Sequence, residues 1–169
     1  MHLDLEPLAR PEAGDPVPPE HEVALVRHVV DVMGADDVVV TGLQDEAVAA
    51  VRAWSRVHCP QLLVGLSLSR DVGPGGLRKV LTGRLGEVLP GRRLRASDAD
   101  LAVCHRTQAR LWGARWARRH DLPLLVWTVD NPRELRRWLV DDRAWLVTTN
   151  HPARAVALRS ELSAEVAGR

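Results

Sequence analysis

Two acidic side chains near the start of the chain, Asp4 and Glu6, have types and a spacing that could support metal binding. They are two residues apart in the stretch HLDLEP, so on a strand both carboxylates point to one face while Leu3 and Leu5 point to the other. Hard divalent cations prefer oxygen ligands of this kind. If the leucines face the helices, we expect the carboxylates on the opposite face, where they either contribute to a metal site or are remnants at a chain terminus.

A large aromatic side chain, Trp127, ends another apolar run in the stretch LPLLVWTVDNPRELRRWLV of residues 122–140. The helix that follows is well specified, because Asn131 can cap it, Pro132 fits its first position and Glu134 can complete a capping box. Other apolar runs also end in polar side chains, namely Thr41, Ser67, His105, Thr149 and Asn150. Ligands bind at the carboxyl ends of parallel strands, although strand ends also become polar simply because loops are solvated.

These side chains must be positioned by short apolar runs that alternate with longer stretches of helical period, as in parallel strands joined by helices. The predicted strands span residues 3–5, 38–41, 62–68, 101–104, 124–128 and 146–149. The predicted helices span residues 20–33, 44–57, 75–89, 106–119, 132–140 and 153–165, and 7–19 and 90–100 are predicted to be connections. The near-continuous apolar runs indicate strands that are covered on both faces. The sequence therefore predicts an α/β fold of about six parallel strand-helix units.

The composition is typical of a globular domain and disfavours several functional classes. Of the 169 residues, 46% are hydrophobic and 27% are charged, with a formal net charge of +1, so the overall charge gives no reason to expect nucleic acid as the main partner. Cys59 and Cys104 lack the spacing of a zinc site, which favours a reducing compartment. No signal peptide or apolar run of membrane-spanning length is recognisable, so we predict a cytoplasmic protein without a membrane span.

The most informative motifs lie near the C-terminus. The stretch LLVWTVDNPRELRRWL, followed by WLVTTNHPARAVAL, closely resembles the end of the glycerophosphodiester phosphodiesterase family, in which strands end in WTVN and TDRP and a helix begins D/N-P-E-E-L. With less specificity, VVVTGLQDEAVAAVRAW resembles the family's strand that ends in serine before a Phe-Asp-Pro helix start, and MHLDLEP resembles its E-x-K-P strand. The resemblance covers nearly the whole chain and is strongest over residues 120–158.

This resemblance implies a TIM barrel of eight units, of which the six found here correspond to the third to eighth. Residues 1–169 would then form a single incomplete phosphodiesterase-like barrel domain. The family activity would be that of a hydrolase of lipid metabolism, dependent on magnesium or calcium, which converts a glycerophosphodiester and water to glycerol 3-phosphate and an alcohol. The family's HRG histidine, Glu-Asn pair, metal-binding aspartate and second histidine belong to the first two units, and none of these motifs is present in the sequence.

Carried over residue by residue, the resemblance gives a mixed result. Asp4 falls at the family's metal-binding Glu position, whereas Glu6 replaces a lysine that is expected to contact phosphate. Trp127 matches the strand-end tryptophan that lines the glycerol pocket, unless it only fills the core. Asn150 and His151 stand where the family usually has Asp and often has Arg, which weakens any assignment of an intact site.

Several interpretations of function follow. The chain is either a phosphodiesterase that is truncated or degenerate and inactive on its own, with its catalytic residues unknown, or a noncatalytic binding or scaffold module of the same descent. A third reading is that Met1 is an internal start of a longer frame. Six strands cannot close a barrel of the usual tilt, so open edges predict dimerisation, rearrangement or instability.

The segment HRTQARLWGARWARRH, residues 105–120, combines arginines with tryptophans. Such a pattern can bind nucleic acid, but an outer barrel helix has the same appearance, and we favour the outer helix. Among the histidines, His105, His2 and His151 are placed to reach the carboxyl ends of the strands. The others are expected to be solvated.

Overall fold

The computed structural model describes residues 1–5, 19–68 and 90–168, apart from the side chain of Val166. Its first elements are β1 His2–Leu5, α1 Glu20–Met33, a 3-10 turn Ala35–Asp37, β2 Val39–Gly42, α2 Asp45–His58, β3 Leu63–Ser67, α3 Pro90–Ser97 and β4 Leu101–His105. These are followed by α4 Arg106–Gln108, a π-helical segment Ala109–Gly113, α5 Ala114–Arg119, β5 Leu124–Trp127, α6 Pro132–Val140, β6 Leu146–Val147 and α7 Pro152–Ala167.

The strands lie in the sheet in chain order, β1-β2-β3-β4-β5-β6. The pairs β1-β2, β2-β3 and β5-β6 are parallel, with Asp4 opposite Thr41 and Leu125 opposite Leu146. Parallel strands in chain order, separated by helices, form a partial TIM barrel, so the predicted fold class is confirmed. The chain divides into two compact units, Met1–Ala102 and Val103–Arg169. A single domain over residues 1–169 stays a prediction.

In the first unit, one face of the sheet is covered by α2. A Cβ atom added at Gly42 would lie 3.0 Å from Val48 Cγ2 and 3.7 Å from Leu5 Cβ, so strand and helix approach closely here. Val64 and Leu66 of β3 are fully buried. Because side chains alternate along a strand, the helix-covered face of β1 carries Leu5, and Asp4 lies on the opposite face.

In the second unit, small side chains allow the helix after β4 to lie close to that strand. Ala109, Gly113 and Ala114 are all buried, and a Cβ atom added at Gly113 would lie 2.9 Å from Cys104 Sγ. Leu124, Leu125 and Val126 of β5 are fully buried. The run predicted to be a covered strand therefore forms the core of this unit.

The predicted start of the helix after β5 is confirmed in its main feature. Asn131 Oδ1 accepts hydrogen bonds from the backbone N–H groups of Arg133 at 2.9 Å and Glu134 at 3.3 Å, and Pro132 is the first helical residue. Glu134 does not complete the expected capping box; its carboxylate instead lies 3.2 Å from Arg106 Nε. The end of α1 at Gly34 is also as predicted, since Gly34 has a φ of 84°.

The prediction for residues 90–97 was also wrong. Residues 90–97, predicted as part of a solvated connection, form helix α3. Its buried positions include Leu94 but also Arg93 and Ser97, so the helix lacks the apolar period by which helices are recognised. The helix predicted for 75–89, and the connection predicted for 7–19 except its last residue, lie outside the described residues. No helix among the described residues is long and apolar enough to cross a membrane.

Candidate functional site

In the first unit, Asp4 is part of a polar network with two side chains. Thr41 Oγ1 donates a hydrogen bond to Asp4 Oδ1 at 2.8 Å, and His2 Nε2 lies 2.8 Å from Thr41 Oγ1. Because the single hydroxyl proton of Thr41 is given to Asp4, His2 must donate from Nε2, which fixes its tautomer. Partial desolvation lowers the pKa of His2, opposed by the Asp4 carboxylate, while the N-terminal ammonium group lowers it further.

A buried arginine joins the strand ends of the first unit. Arg93 is 9% exposed, and its Nε donates to Asp45 Oδ1 at 2.9 Å. Its Nη2 donates to Leu43 O at 2.9 Å, and its Nη1 donates to Ser67 O at 3.4 Å. Leu43 follows β2 and Ser67 ends β3, so Arg93 links α3 to the carboxyl ends of both strands. Because it is already held by these partners, we regard it as a positioning residue.

In the second unit, Trp127 lies half-buried at the end of β5 and meets His105 at the end of β4. The two rings are nearly perpendicular, at 84°, with their centroids 5.7 Å apart. His105 Nδ1 accepts a hydrogen bond from Thr107 N at 3.3 Å, so the neutral ring carries its proton on Nε2. Trp127 Nε1 is buried without an acceptor among the described residues, and the Trp127-Thr128 peptide is cis.

Asp130 connects the loop that follows β5 with the loop that follows β6. Its Oδ1 accepts hydrogen bonds from Asn150 N at 2.8 Å and Thr149 Oγ1 at 3.0 Å, and its Oδ2 accepts from Asn150 Nδ2 at 2.9 Å. These donors, with Asn150 contributing most and the charge of His151 adding to them, lower the pKa of Asp130. The carboxylate is therefore committed to holding the loop after β6 against the loop after β5.

Comparison with known proteins gives matches at the level of structure. No protein-family model matches the sequence, and no curated protein matches it. A glycerophosphodiester phosphodiesterase from Parabacteroides distasonis ATCC 8503 superposes with a TM-score of 0.59 at 16% identity, over 96% of this chain and 57% of that protein. A candidate glycerophosphoryl diester phosphodiesterase from Silicibacter pomeroyi DSS-3 gives a TM-score of 0.60 at 20% identity, over 86% of this chain and 45% of that protein.

A further glycerophosphodiester phosphodiesterase, from Agrobacterium tumefaciens str.C58, has a TM-score of 0.54 at 14% identity, over 82% of this chain and 52% of that protein. The chain shares its fold with part of these phosphodiesterases. It spans about half the length of the solved structures that it matches. The fold expected from the resemblance is thus confirmed, whereas an identity of 20% or less leaves activity to be tested.

The described residues do not by themselves fit a hard divalent cation. Asp4 Oδ1 already accepts the Thr41 hydroxyl, and the next group in that network is the imidazole of His2. Within residues 1–5, 19–68 and 90–168, no group of three or more His, Cys, Asp or Glu side chains is placed to hold a metal ion. Glu6, the second predicted ligand, lies outside the described residues. The assignment of Asp4 and Glu6 to a metal site therefore stays a prediction.

The structure brings together some residues that the sequence singled out and adds others. It pairs Trp127 with His105, and Asp4 with Thr41 and His2. The roles of Arg93 and Asp130 were not predicted. Their partners are 19 to 50 residues distant in the chain, and no local spacing indicates such contacts.

Proposed function

We propose that these 169 residues form the C-terminal part of a glycerophosphodiester phosphodiesterase-type barrel, which contacts a glycerophosphodiester or glycerol phosphate. We further propose that the chain alone does not hydrolyse it. The observation that supports this assignment is the agreement in fold, which extends over 82% to 96% of the chain but only 45% to 57% of the matched proteins.

The chemistry of the reaction explains why hydrolysis is not proposed for the isolated chain. Phosphodiester cleavage requires charge neutralisation at the phosphoryl oxygens, a base for the attacking water and an acid for the leaving alcohol. The family resemblance assigns these tasks to motifs that the sequence does not contain. A longer chain or a partner would have to supply them, together with further ligands for a magnesium or calcium ion.

The proposed ligand contact is the aromatic surface formed by Trp127 and His105. Trp127 retains some exposure at the end of its strand, and the nearly perpendicular His105 ring makes a second wall beside it. A flat indole face is suited to the carbon backbone of glycerol, and the family resemblance implies the same role. The competing role, in which Trp127 only packs the core, predicts no response to ligand.

Hydrolysis is tested directly with purified protein, glycerophosphocholine, and magnesium or calcium. We expect no turnover above that of an Asp4→Ala variant prepared in the same way. Turnover that exceeds the variant would contradict the proposed inactivity. It would also support a metal role for Asp4.

Binding is tested by tryptophan fluorescence during titration with glycerol 3-phosphate. The chain has six tryptophans, so the contribution of Trp127 is isolated with Trp127→Leu. Trp145, which is 47% exposed, provides a matched control as Trp145→Leu. We expect a saturable change in the native protein and in the control, and none in Trp127→Leu. A flat titration of the native protein would argue against a retained pocket.

The alternative function is a noncatalytic binding or scaffold module, and one observation favours it. Asn150, which stands where the family usually has Asp, donates its amide to Asp130 at 2.9 Å. Its side chain is therefore used to hold two loops together. Ligand binding by a full-length form that also lacks hydrolysis would identify such a module. The homodimer through open strand edges stays a prediction, which sedimentation velocity can test.

A further inference from the structure

Residues 106–119, here called the arginine helix, comprise α4, the π-helical segment and α5, and they concentrate positive charge. The arginine helix has five arginines and no Asp or Glu, although the whole chain has a formal net charge of only +1. Arg106 pairs with Glu134 at 3.2 Å. The other four, Arg110, Arg115, Arg118 and Arg119, are exposed and form no ion pair with any described residue.

The π-helical segment keeps this charge on one exposed face. In a regular α-helix, residues four apart share a face, so Arg110 would lie above Ala114, which is buried. Here the backbone N–H of Ala114 bonds to the carbonyl of Ala109, five residues earlier, and the wider turn accommodates one extra residue. Arg110 is consequently exposed, while Ala109 and Gly113 face the core.

An apolar side chain projects from among these arginines. Leu111 is 67% exposed and directly follows Arg110 in the chain. Trp112 and Trp116 of the same helix are half-buried. The ring of Trp116 is already stacked on His120, with a centroid distance of 4.1 Å, so that face is unavailable to a nucleic acid base.

We propose that the face formed by Arg110, Leu111, Arg115, Arg118 and Arg119 docks the protein on the surface of an anionic phospholipid bilayer. Arginine guanidinium groups match phosphate geometry, and basic side chains near an anionic leaflet are strongly attracted to it. A helix that combines basic and apolar exposed residues lies in the plane of such a surface. Nucleic acid could also neutralise the arginines, but it would leave Leu111 exposed to water. A base could not stack on the face of Trp116 that His120 covers.

Vesicle co-sedimentation tests the proposal with the full chain. The vesicles are phosphatidylcholine alone or with about 30% phosphatidylglycerol, which makes the leaflet anionic as the proposal requires. The test variant is Arg110→Gln/Arg115→Gln/Arg119→Gln, and the matched control is Arg133→Gln/Arg137→Gln/Arg159→Gln, which removes the same charge from exposed positions on α6 and α7. Circular dichroism melting checks that both variants remain folded.

We expect the native chain to bind the anionic vesicles in a salt-dependent manner and to bind neutral vesicles at least about tenfold more weakly, since the attraction is electrostatic. Each arginine should contribute a factor of about five, so the test variant should lose about 100-fold and the control only a few-fold. Leu111→Ser should weaken binding by about threefold to tenfold at every salt concentration, because it removes apolar contact and no charge.

Equal binding by the two triple variants would overturn the proposal, as would failure of the native chain to bind anionic vesicles. A short DNA duplex serves as the competing polyanion. Tighter binding to the duplex than to vesicles, lost in the Arg110→Gln/Arg115→Gln/Arg119→Gln variant, would replace the bilayer with nucleic acid. None of these outcomes depends on hydrolysis or glycerol phosphate binding.

Discussion

Replacement of Gly113 by alanine is expected to destabilise the second unit, because the new methyl group would collide with Cys104. The added Cβ would lie 2.9 Å from Cys104 Sγ and 3.4 Å from Gln108 O. Favourable contacts between non-bonded heavy atoms begin at about 3.5 Å. Cys104 is 0% exposed and has a single side-chain torsion, so the sulfur has little freedom to retreat.

Two opposing effects set the magnitude of this change. Overpacking a well-packed interior costs about 1–3 kcal/mol, and a contact this short in a fully buried position places the cost in the upper half of that range. Alanine, however, is about 1 kcal/mol more favourable than glycine in a helix interior. The net expectation is a loss of about 1–2 kcal/mol in the free energy of unfolding.

The assay is equilibrium urea unfolding of the native chain, Gly113→Ala, Cys104→Ala and the double variant. Since Cys104→Ala removes the sulfur, the double variant should lose the steric cost and be more stable than the sum of the single effects by about 2–3 kcal/mol. Gly168→Ala, whose Cβ would lie 3.5 Å from Ala164 O, is a control that should leave stability unchanged. Additivity within about 0.5 kcal/mol would refute the close packing of the arginine helix on β4.

Other perturbations have predictable signs. Arg93→Met should lower the free energy of unfolding by about 3 kcal/mol in a urea titration. This is the lower end of the cost of breaking a buried ion pair, because the side chain of Asp45 is 33% exposed. Asn131→Ala should cost about 1 kcal/mol in the same assay through loss of the helix cap. Hydrogen bonds from the loop after β6 lower the pKa of Asp130 in the folded protein. The ionised carboxylate therefore stabilises the fold fully above the pKa of the unfolded chain, about 4, and this stabilisation is lost as the pH falls through the lower pKa of the folded protein. Asp130→Asn should therefore flatten the acid dependence of the melting temperature. Burial raises the pKa of Cys104 to about 12, so a thiol reagent should react with it at neutral pH only after unfolding.

The elements that local chemistry specifies were predicted well. α1 ends at residue 33 as predicted, because Gly34 can adopt the positive φ that follows it, and α6 begins at Pro132 after the Asn131 cap. Strand ends differed by one or two residues from the prediction. β6 is short, Leu146–Val147, although the predicted strand extends to residue 149, since pairing with β5 decides where a strand ends.

Helix α3 marks where reasoning from pattern fails. Its buried face depends on Arg93, which an apolar pattern counts as an exposed residue. The guanidinium is nevertheless stable inside because it has a carboxylate and two carbonyl oxygens as partners. Those partners come from two other segments of the chain, residues 43–45 and residue 67. The burial of Arg93 could be predicted only once the fold that brings these partners together was known.

The candidate site has the same limitation, since residue types are visible in the sequence but their partners are not. Asp4 was proposed as a metal ligand from its spacing to Glu6, yet its described contact is Thr41, across a strand pair 37 residues apart. Considered alone, Asn150 is only a departure from the Asp that the resembled family usually has at this position. In contact with Asp130, its neutral amide is required, because a carboxylate there would place two negative charges at hydrogen-bond distance. An aspartate at residue 150 could therefore be accommodated only if Asp130 were released from this contact.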